Sequence, residues 1–214
     1  SRRHQQILRH MIGRPHGILF VTGPTGSGKS TTLYASLSEI NDVGKKIITI
    51  ENPIEYRIRG VTQIEVKPEI GLTFASSLRT ILRLDPDIIM VGEIRDVETA
   101  DIAIHAALTG HLVFSTIHTN DACGAVTRLL DMGIEPFLIS SSVEGMVAQR
   151  LVRLLCPHCK QVHKPAESQL RLVNVTNDDP AGLTIYRARG CEACRYMGYL
   201  GRTAVYEIAQ VSET

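Results

Sequence analysis

The sequence lacks the features that would mark it as a membrane-spanning, strongly polyanion-binding or disordered chain. No apolar run approaches the roughly 20 residues that a spanning helix needs, and its first residues do not resemble a signal peptide. The formal net charge of +1 gives no strong overall attraction to nucleic acid or anionic lipid. Hydrophobic residues make up 43% and charged residues 21%, as in folded globular proteins.

The chain also lacks an initiator methionine. It begins Ser1-Arg-Arg-His, and we expect it to be a segment of a longer protein. Its 214 residues are enough for one large domain, or for one domain with an appendage.

A glycine-rich motif, GPTGSGKS at residues 23–30, follows the apolar run Gly17–Thr22. A buried strand, a glycine-rich turn and a helix opening at Lys29 form the context that a nucleotide P-loop requires. The turn directs backbone N–H groups at phosphate oxygens, and the helix N-terminus favours an anion. Lys29 would reach the β- and γ-phosphates of ATP, and Ser30 would bind Mg²⁺. The alternative is a plain turn after a core strand. The predicted ATP-binding residues are Gly23, Pro24, Thr25, Gly26, Ser27, Gly28, Lys29, Ser30 and Thr31.

Apolar runs and helical patterns alternate along the chain. The predicted strands are Gly17–Thr22, Lys46–Ile50, Asp87–Val91 and His111–Thr116. The predicted helices are Ser30–Asn41, Phe74–Arg83, Val97–Leu108 and Asp121–Met132. This alternation predicts an α/β fold with a doubly wound, mainly parallel sheet, in which ligands bind beyond the carboxyl ends of the strands.

Two further segments have their own patterns. Ile58–Lys67 alternates polar and apolar residues and predicts an antiparallel excursion. Pro136–Leu155 is apolar with helical spacing. We expect a core domain over residues 1–155, a metal-binding subdomain over 156–200, and a segment over 201–214 that returns to the core.

Three carboxylates follow predicted strands and are candidates for activating water or holding the metal. Glu93 ends a Walker B-like strand in which Gly92 stands at the usual Asp position, which favours contact with Mg²⁺ through water. Glu51 and Glu55 end the neighbouring strand. The alternative for Glu93 is an ion pair with Arg95, and for the other two a solvated loop carboxylate.

Two histidines flank the fourth predicted strand. We expect His111 and His118 to lie on the nucleotide side, where a ring N–H of His118 could sense the γ-phosphate. The alternative is a structural role for each.

Cysteine spacing predicts a structural zinc site. The chain has five cysteines, four of them in two Cys-X-X-Cys pairs, and a metal in a reducing cytoplasm is a better interpretation than disulfides or redox thiols. Four thiolates suit tetrahedral Zn²⁺. The long loop between the pairs would carry a hairpin, with a short strand over Thr184–Ala188. The predicted ligands are Cys156, Cys159, Cys191 and Cys194.

The sequence resembles the type II secretion and type IV pilus assembly ATPases, which are RecA-like motors. The stretches that carry the resemblance are GPTGSGKSTT at 23–32, ENPIE at 51–55, DPDIIMVGEIRD at 85–96, TGHLVFSTIHT at 109–119 and AQRLVR at 148–153, followed by the cysteine pairs. It implies a RecA-like P-loop core with a tetracysteine zinc appendage. It also implies that Glu55 activates water and that Glu93 is associated with the metal, and it strengthens the case for His111 and His118.

The resemblance further implies a homo-oligomer, a hexamer, that uses ATP, Mg²⁺ and Zn²⁺ to power pilus or pseudopilus assembly. Its partners would be inner-membrane platform and cytoplasmic adaptor proteins. The protein would be cytoplasmic and peripheral to the inner face of the cytoplasmic membrane, through N-terminal domains that this chain lacks. In the family those domains supply arginines to the γ-phosphate, so we expect slow turnover by this segment.

Two rival functions predict different behaviour. A RecA-like DNA translocase would bind DNA in a salt-sensitive way, but the balanced charge argues against a nucleic-acid partner. A non-hydrolysing nucleotide-gated scaffold would not need the strand-end carboxylates.

Overall fold

The computed structural model describes residues 2–164 and 184–211. Its contacts divide the chain into two compact units, one of Ser1–Arg150 with Val205–Thr214 and one of Leu151–Ala204. Within the described residues, no helix combines the length and apolar character needed to cross a membrane.

Helices and strands alternate through most of the chain. The helices are α1 (Arg2–Ile12), α2 (Lys29–Ile40), α3 (Phe74–Leu82), α4 (Val97–Leu108), α5 (Gly124–Asp131) and α6 (Pro136–Ser142). The strands are β1 (Gly17–Thr22), β2 (Ile47–Glu51), β3 (Val61–Glu65), β4 (Ile88–Val91), β5 (Leu112–Ile117), β6 (Val143–Leu155), β7 (Gln161–His163), β8 (Ile185–Arg187) and β9 (Tyr199–Gln210). Short 3₁₀ turns occupy Pro68–Ile70 and Glu192–Cys194.

Seven strands form one sheet in the order β3-β2-β4-β5-β1-β6-β9. Each neighbouring pair from β3 to β6 is parallel. The carboxyl ends of β1, β2, β4 and β5 therefore open on one edge of the sheet, where the fold places ligands. The predicted α/β class with a doubly wound, mainly parallel sheet is confirmed.

Helices cover both faces of the sheet. Alternate residues of β1 point to opposite sides: Leu19 and Val21 pack with side chains of α1 and α2, whereas Ile18 and Phe20 pack with those of α3, α4 and α6. Both faces of the central strands are therefore buried, which explains their continuous apolar sequences.

The predicted antiparallel excursion over Ile58–Lys67 is wrong in direction. The strand inside it, β3, pairs in parallel with β2, with Ile47 opposite Val61 and Glu51 opposite Glu65. Alternation of polar and apolar residues identifies a half-buried edge strand, but it carries no information about strand direction. The direction comes from the connection over residues 52–60, which returns the chain to the start of β2.

The helical prediction for Pro136–Leu155 is wrong after the first seven residues. Helix α6 ends at Ser142, and the chain continues as the 13-residue strand β6. The first half of β6 lies beside β1 and is largely buried, so its apolar run did not distinguish helix from strand. Gly145 is needed there: a Cβ would lie 2.4 Å from the Met11 sulfur and 2.9 Å from the Ala209 carbonyl. Helix α1 carried no sequence-based prediction.

Candidate nucleotide-binding site and metal centre

The P-loop connects β1 to α2 at the carboxyl edge of the sheet. Its three glycines have positive φ angles, 142° at Gly23, 77° at Gly26 and 87° at Gly28, a region that side chains disfavour. A Cβ at Gly23 would also lie 2.4 Å from the Gln149 carbonyl oxygen. Both the turn and its close approach to β6 therefore require glycine at position 23.

Lys29 lies within the turn that it would serve. Its Nζ donates to the carbonyl oxygens of Gly23 at 2.8 Å and of Pro24 at 3.1 Å, and the residue is 9% exposed. Burial lowers the pKa of Lys29, and the Glu93 carboxylate partly opposes that change. Among the described residues, the buried Ser27 hydroxyl has no hydrogen-bond partner. A cation and a free hydroxyl in one glycine-rich turn fit a phosphate ligand.

Gln149 braces the P-loop from β6. Its Nε2 donates to the Ser27 carbonyl at 2.7 Å, and its Oε1 accepts from the Thr32 hydroxyl at 2.6 Å. The residue is 3% exposed. Sequence reasoning assigned no role to Gln149, because a polar residue in a presumed helix gives no sign of contact with a loop more than a hundred residues away.

Glu93 lies just beyond β4 and is enclosed by basic groups. Its Oε2 is 2.6 Å from Arg95 Nε and 3.7 Å from His118 Nε2, and its side chain is 13% exposed. The Arg95 ion pair is the arrangement that the sequence left open as an alternative. The carboxylate also interacts electrostatically with Lys29, so Glu93, His118 and the P-loop lysine share one electrostatic environment.

Hydrogen bonds fix the strand ends that carry these groups. The Thr119 backbone N–H donates to Thr22 Oγ1 at 2.9 Å, which joins the residue after His118 to the residue before the P-loop. The Thr116 hydroxyl donates to the Gly92 carbonyl at 2.8 Å, and the Ile94 N–H donates to the Thr116 carbonyl at 2.9 Å. The backbone around Glu93 is therefore held by β5.

Gly92, at the usual Asp position, faces a crowded backbone. A Cβ there would lie 3.1 Å from the Ile50 carbonyl oxygen, 3.4 Å from Glu51 Cα and 3.6 Å from the Phe74 ring. The Gly92 N–H donates to the same Ile50 carbonyl at 2.8 Å. Close packing between β4 and β2 accounts for the absence of a side chain at this position.

Glu51 and Glu55 occupy different environments although both follow β2. Glu51 is 4% exposed and accepts from the Thr49 hydroxyl at 2.5 Å, from Gln63 Nε2 at 3.0 Å and from the Tyr34 hydroxyl. Glu55 is exposed. Burial and the Glu51 carboxylate raise the pKa of Tyr34, so its hydroxyl remains a donor.

The expectation that His111 lies on the nucleotide side is wrong. His111 precedes β5, whereas His118 follows it, so the two rings lie at opposite edges of the parallel sheet. His111 Nδ1 is 2.9 Å from the Ala106 carbonyl oxygen, at the end of α4. The strand itself was predicted correctly, but two residues that flank a strand lie at opposite ends of it.

The second unit contains a compact tetracysteine cluster. The sulfur atoms of Cys156, Cys159, Cys191 and Cys194 all lie within 4.8 Å of one another. Three of the separations are 3.9, 3.8 and 3.8 Å, close to the edge of about 3.8 Å that a tetrahedron with Zn–S bonds of about 2.3 Å requires. They are far longer than the roughly 2.05 Å of a disulfide. The cluster fits zinc.

Backbone amides support the thiolates. Gly190 N–H donates to Cys159 Sγ at 3.3 Å, and the N–H groups of Cys191 and Gly198 donate to Cys194 Sγ at 3.2 Å each. Burial acts to raise the pKa of Cys194, but these two amides, together with hydrogen bonds from the Cys191 and Cys159 side chains, outweigh it and lower the pKa to about 7. Such amide donors accompany metal-bound thiolates.

The loop between the cysteine pairs carries the expected hairpin pairing. Strands β7 and β8 are antiparallel, with Gln161 opposite Arg187 and His163 opposite Ile185. The strand expected over Thr184–Ala188 is present as β8. The part of this loop over residues 165–183 lies outside the described residues.

The chain is similar to known proteins in sequence and in fold. A family model described as "Type II/IV secretion system protein" matches residues 1–214. The chain is 57% identical over 208 residues to type II secretion system protein E of Pseudomonas aeruginosa, covering 97% of this chain and 41% of that protein. It is 58% identical over 206 residues to type II secretion system ATPase E of Vibrio cholerae, covering 96% and 41%.

A solved structure is also similar. The pilus retraction motor PilT with bound ADP matches with a TM-score of 0.69 and 33% identity, covering 97% of this chain and 51% of that one. By the 41% coverage of the two type II secretion proteins given above, the chain spans about two fifths of the length of the curated relatives it matches.

Proposed function

Because the chain belongs to the type II/IV secretion system protein family, we propose that it is the ATP-hydrolysing domain of a motor for pilus or pseudopilus assembly. The observation that carries the proposal is the edge of the sheet where the P-loop, Glu93 and His118 follow the neighbouring strands β1, β4 and β5. The relatives described above favour type II secretion over pilus biogenesis.

The P-loop residues of this chain would bind ATP. The backbone of residues 23–31 cradles the phosphates, Lys29 neutralises their charge, and the Ser30 hydroxyl is the protein ligand for Mg²⁺. Bound Mg²⁺ supplies charge neutralisation at the phosphates. Glu93, held by Arg95 and positioned beside His118, would hold Mg²⁺ through a water molecule, and His118 would donate a ring N–H to the γ-phosphate.

Glu55 is the proposed water-activating carboxylate. It is exposed in the middle of the loop that follows β2, so a water molecule can reach it, whereas Glu51 is buried and already accepts three hydrogen bonds. We therefore assign base catalysis to Glu55 and not to Glu51. His111 has no role in this assignment within one subunit, because it lies at the opposite edge of the sheet.

The second unit is proposed to hold one structural Zn²⁺ through its four cysteines. With four thiolates the coordination is complete, so the metal stabilises the unit and leaves no open position for chemistry.

The working assembly is proposed to be a homo-oligomeric ring, a hexamer, on the cytoplasmic face of the inner membrane. Platform and adaptor proteins of the secretion machine would be its partners. Because the chain spans about two fifths of its relatives, segments outside it would complete the site with arginines at the γ-phosphate, which can contribute roughly 10³–10⁵ in rate in other P-loop enzymes.

The test is steady-state ATP turnover across a range of protein concentrations, with Lys29→Ala as the blank. Turnover that rises faster than linearly and disappears in the blank supports an ATPase that assembles from several subunits. Adding the preceding segment of the full-length protein should then raise the rate. Absence of ATP binding to the unmodified chain would contradict the proposal.

A further inference from the structure

We infer that Tyr34 is a positioning residue for ATP hydrolysis, which together with Glu51 and Gln63 holds the loop that carries Glu55. This loop comprises residues 52–58. The inference rests on the proposed function, because it assigns Tyr34 an effect that acts through Glu55.

Tyr34 links α2 to the loop through its hydroxyl. The residue is 1% exposed, and its hydroxyl donates to the Glu51 carboxylate and accepts from the Glu55 backbone N–H at 3.3 Å. One oxygen atom therefore joins the last residue of β2 to the backbone of the proposed catalytic carboxylate. A phenylalanine would retain the ring and lose both contacts.

Gln63 extends the same network to the rest of the loop. Its Nε2 donates to Glu51 Oε1 at 3.0 Å and to the Tyr56 carbonyl at 3.1 Å, and its Oε1 accepts from the Ile58 N–H at 2.8 Å. Three backbone groups of the loop, at positions 55, 56 and 58, are thus held by two buried or half-buried side chains that also share one carboxylate.

Aromatic packing reinforces these contacts. The rings of Tyr34 and Tyr56 meet edge to face, with centroids 4.5 Å apart and planes at 85°, a geometry that aromatic pairs favour. Tyr56 directly follows Glu55 in the chain, so this ring pair lies beside the Glu55 backbone that the Tyr34 hydroxyl contacts.

Tyr34 lies on α2, the same helix that carries the P-loop lysine, Lys29. Helix α2 begins at Lys29, and Tyr34 follows five residues later, about 7.5 Å along the axis. The helix that ends the P-loop therefore also fixes the backbone of Glu55. Phosphate and attacking water are placed relative to one rigid element, and displacement of a catalytic group by about 1 Å can cost about 100-fold in rate.

Glu51 acts in this network as an acceptor. Its carboxylate accepts from Tyr34, Thr49 and Gln63, and 4% exposure leaves little access for an attacking water. A buried carboxylate with several donors is the arrangement that stabilises a charge in place.

The experiment uses the full-length protein with four variants: Tyr34→Phe, Glu55→Gln, the double variant, and Tyr56→Phe as the matched control. Tyr56→Phe preserves the ring that packs on Tyr34 and the carbonyl that accepts from Gln63. We expect Tyr34→Phe to lower kcat about tenfold with KM and the affinity for a fluorescent ADP within twofold of wild type, and Tyr56→Phe to change neither.

The double variant separates positioning from general structural damage. Glu55→Gln should lower kcat about 100-fold or more, and Tyr34→Phe should cause no further loss in that background, since it acts through Glu55. A further tenfold loss, or a rise in KM without a change in kcat, would overturn the inference.

Trypsin cleavage within the loop, after Arg57, and just beyond it, after Arg59, gives a readout that is independent of ATP hydrolysis. Arg57 and Arg59 are exposed, and we expect faster cleavage after both in Tyr34→Phe than in wild type or Tyr56→Phe. If Glu55→Gln leaves turnover unchanged, the proposed role of Glu55 is wrong, whereas unchanged cleavage in Tyr34→Phe contradicts the positioning role itself.

Discussion

The side-chain amide of Gln149 donates to the main-chain carbonyl of Ser27 at 2.7 Å, which joins β6 to the middle of the P-loop. Both residues are 3% exposed. The loop that would bind phosphate is therefore shaped by a strand that comes late in the sequence, as well as by its own glycines.

Removing the Gln149 amide should weaken nucleotide binding. Gln149→Leu keeps the side-chain size but leaves the buried Ser27 carbonyl without its donor, a loss of about 1–3 kcal/mol. We expect roughly 5- to 150-fold weaker binding of fluorescent ADP, measured by titration. Gln5→Leu, at an exposed position of α1, is the control. Equal affinities for both variants would contradict the bracing role.

Nucleotide affinity should fall as the pH rises, and this fall should occur below pH 10.5, the ordinary pKa of a lysine side chain. Burial lowers the pKa of Lys29, with Glu93 partly opposing it, so in the free protein the ammonium loses its proton earlier than an exposed lysine does. The neutral amine attracts phosphate less. ADP titrations from neutral pH upward should show this fall in wild type and a flat profile in Lys29→Ala, and parallel profiles would show that another group is responsible.

Glu93→Gln should reduce turnover and leave binding largely intact. The amide keeps the size of the side chain but removes the charge that pairs with Arg95 at 2.6 Å and lies 3.7 Å from His118. We expect about a 100-fold lower kcat, measured with a coupled ATPase assay on the full-length protein. Glu98→Gln, which loses an exposed pair with Arg79, should retain the wild-type rate. Unchanged turnover in Glu93→Gln would contradict this role of Glu93, and wild-type turnover no higher than that of Lys29→Ala would favour a non-hydrolysing scaffold.

The tetracysteine cluster should bind one zinc ion per chain. Elemental analysis of the double variant Cys159→Ser/Cys194→Ser should show loss of the metal. Proteolysis of residues 151–204 should be faster in this variant than in wild type, because structural zinc contributes on the order of 10 kcal/mol to such folds. Cys123→Ser is the matched control, since Cys123 is exposed and outside the cluster. Wild-type protein purified without zinc but with full protease resistance would contradict the structural role.

Sequence patterns predicted the elements that depend on local chemistry. The glycine-rich turn, the start of α2 at Lys29 and the whole of α4 over Val97–Leu108 follow from residue types at short spacing, and the structure confirms them. The four cysteines also come together as their two short spacings indicated.

Sequence patterns gave wrong predictions where pairing with a strand distant in the sequence determines the local structure. Nothing local to Val143–Leu155 distinguished a strand from a helix, and the pairing with β1 determined it. Likewise, the alternation in β3 was compatible with either direction, and pairing with β2 made it parallel.

For this protein, the sequence by itself determined the kinds of chemistry available: a phosphate-binding loop, strand-end carboxylates and four thiols. Those depend on residue identity and short spacing, which the chain carries directly. Only the tertiary structure determined which of these groups lie next to one another, because that depends on packing and hydrogen bonds between segments that are distant in the sequence. Packing buried Glu51 against Tyr34, left Glu55 exposed, separated His111 from His118 and brought Gln149 to the P-loop.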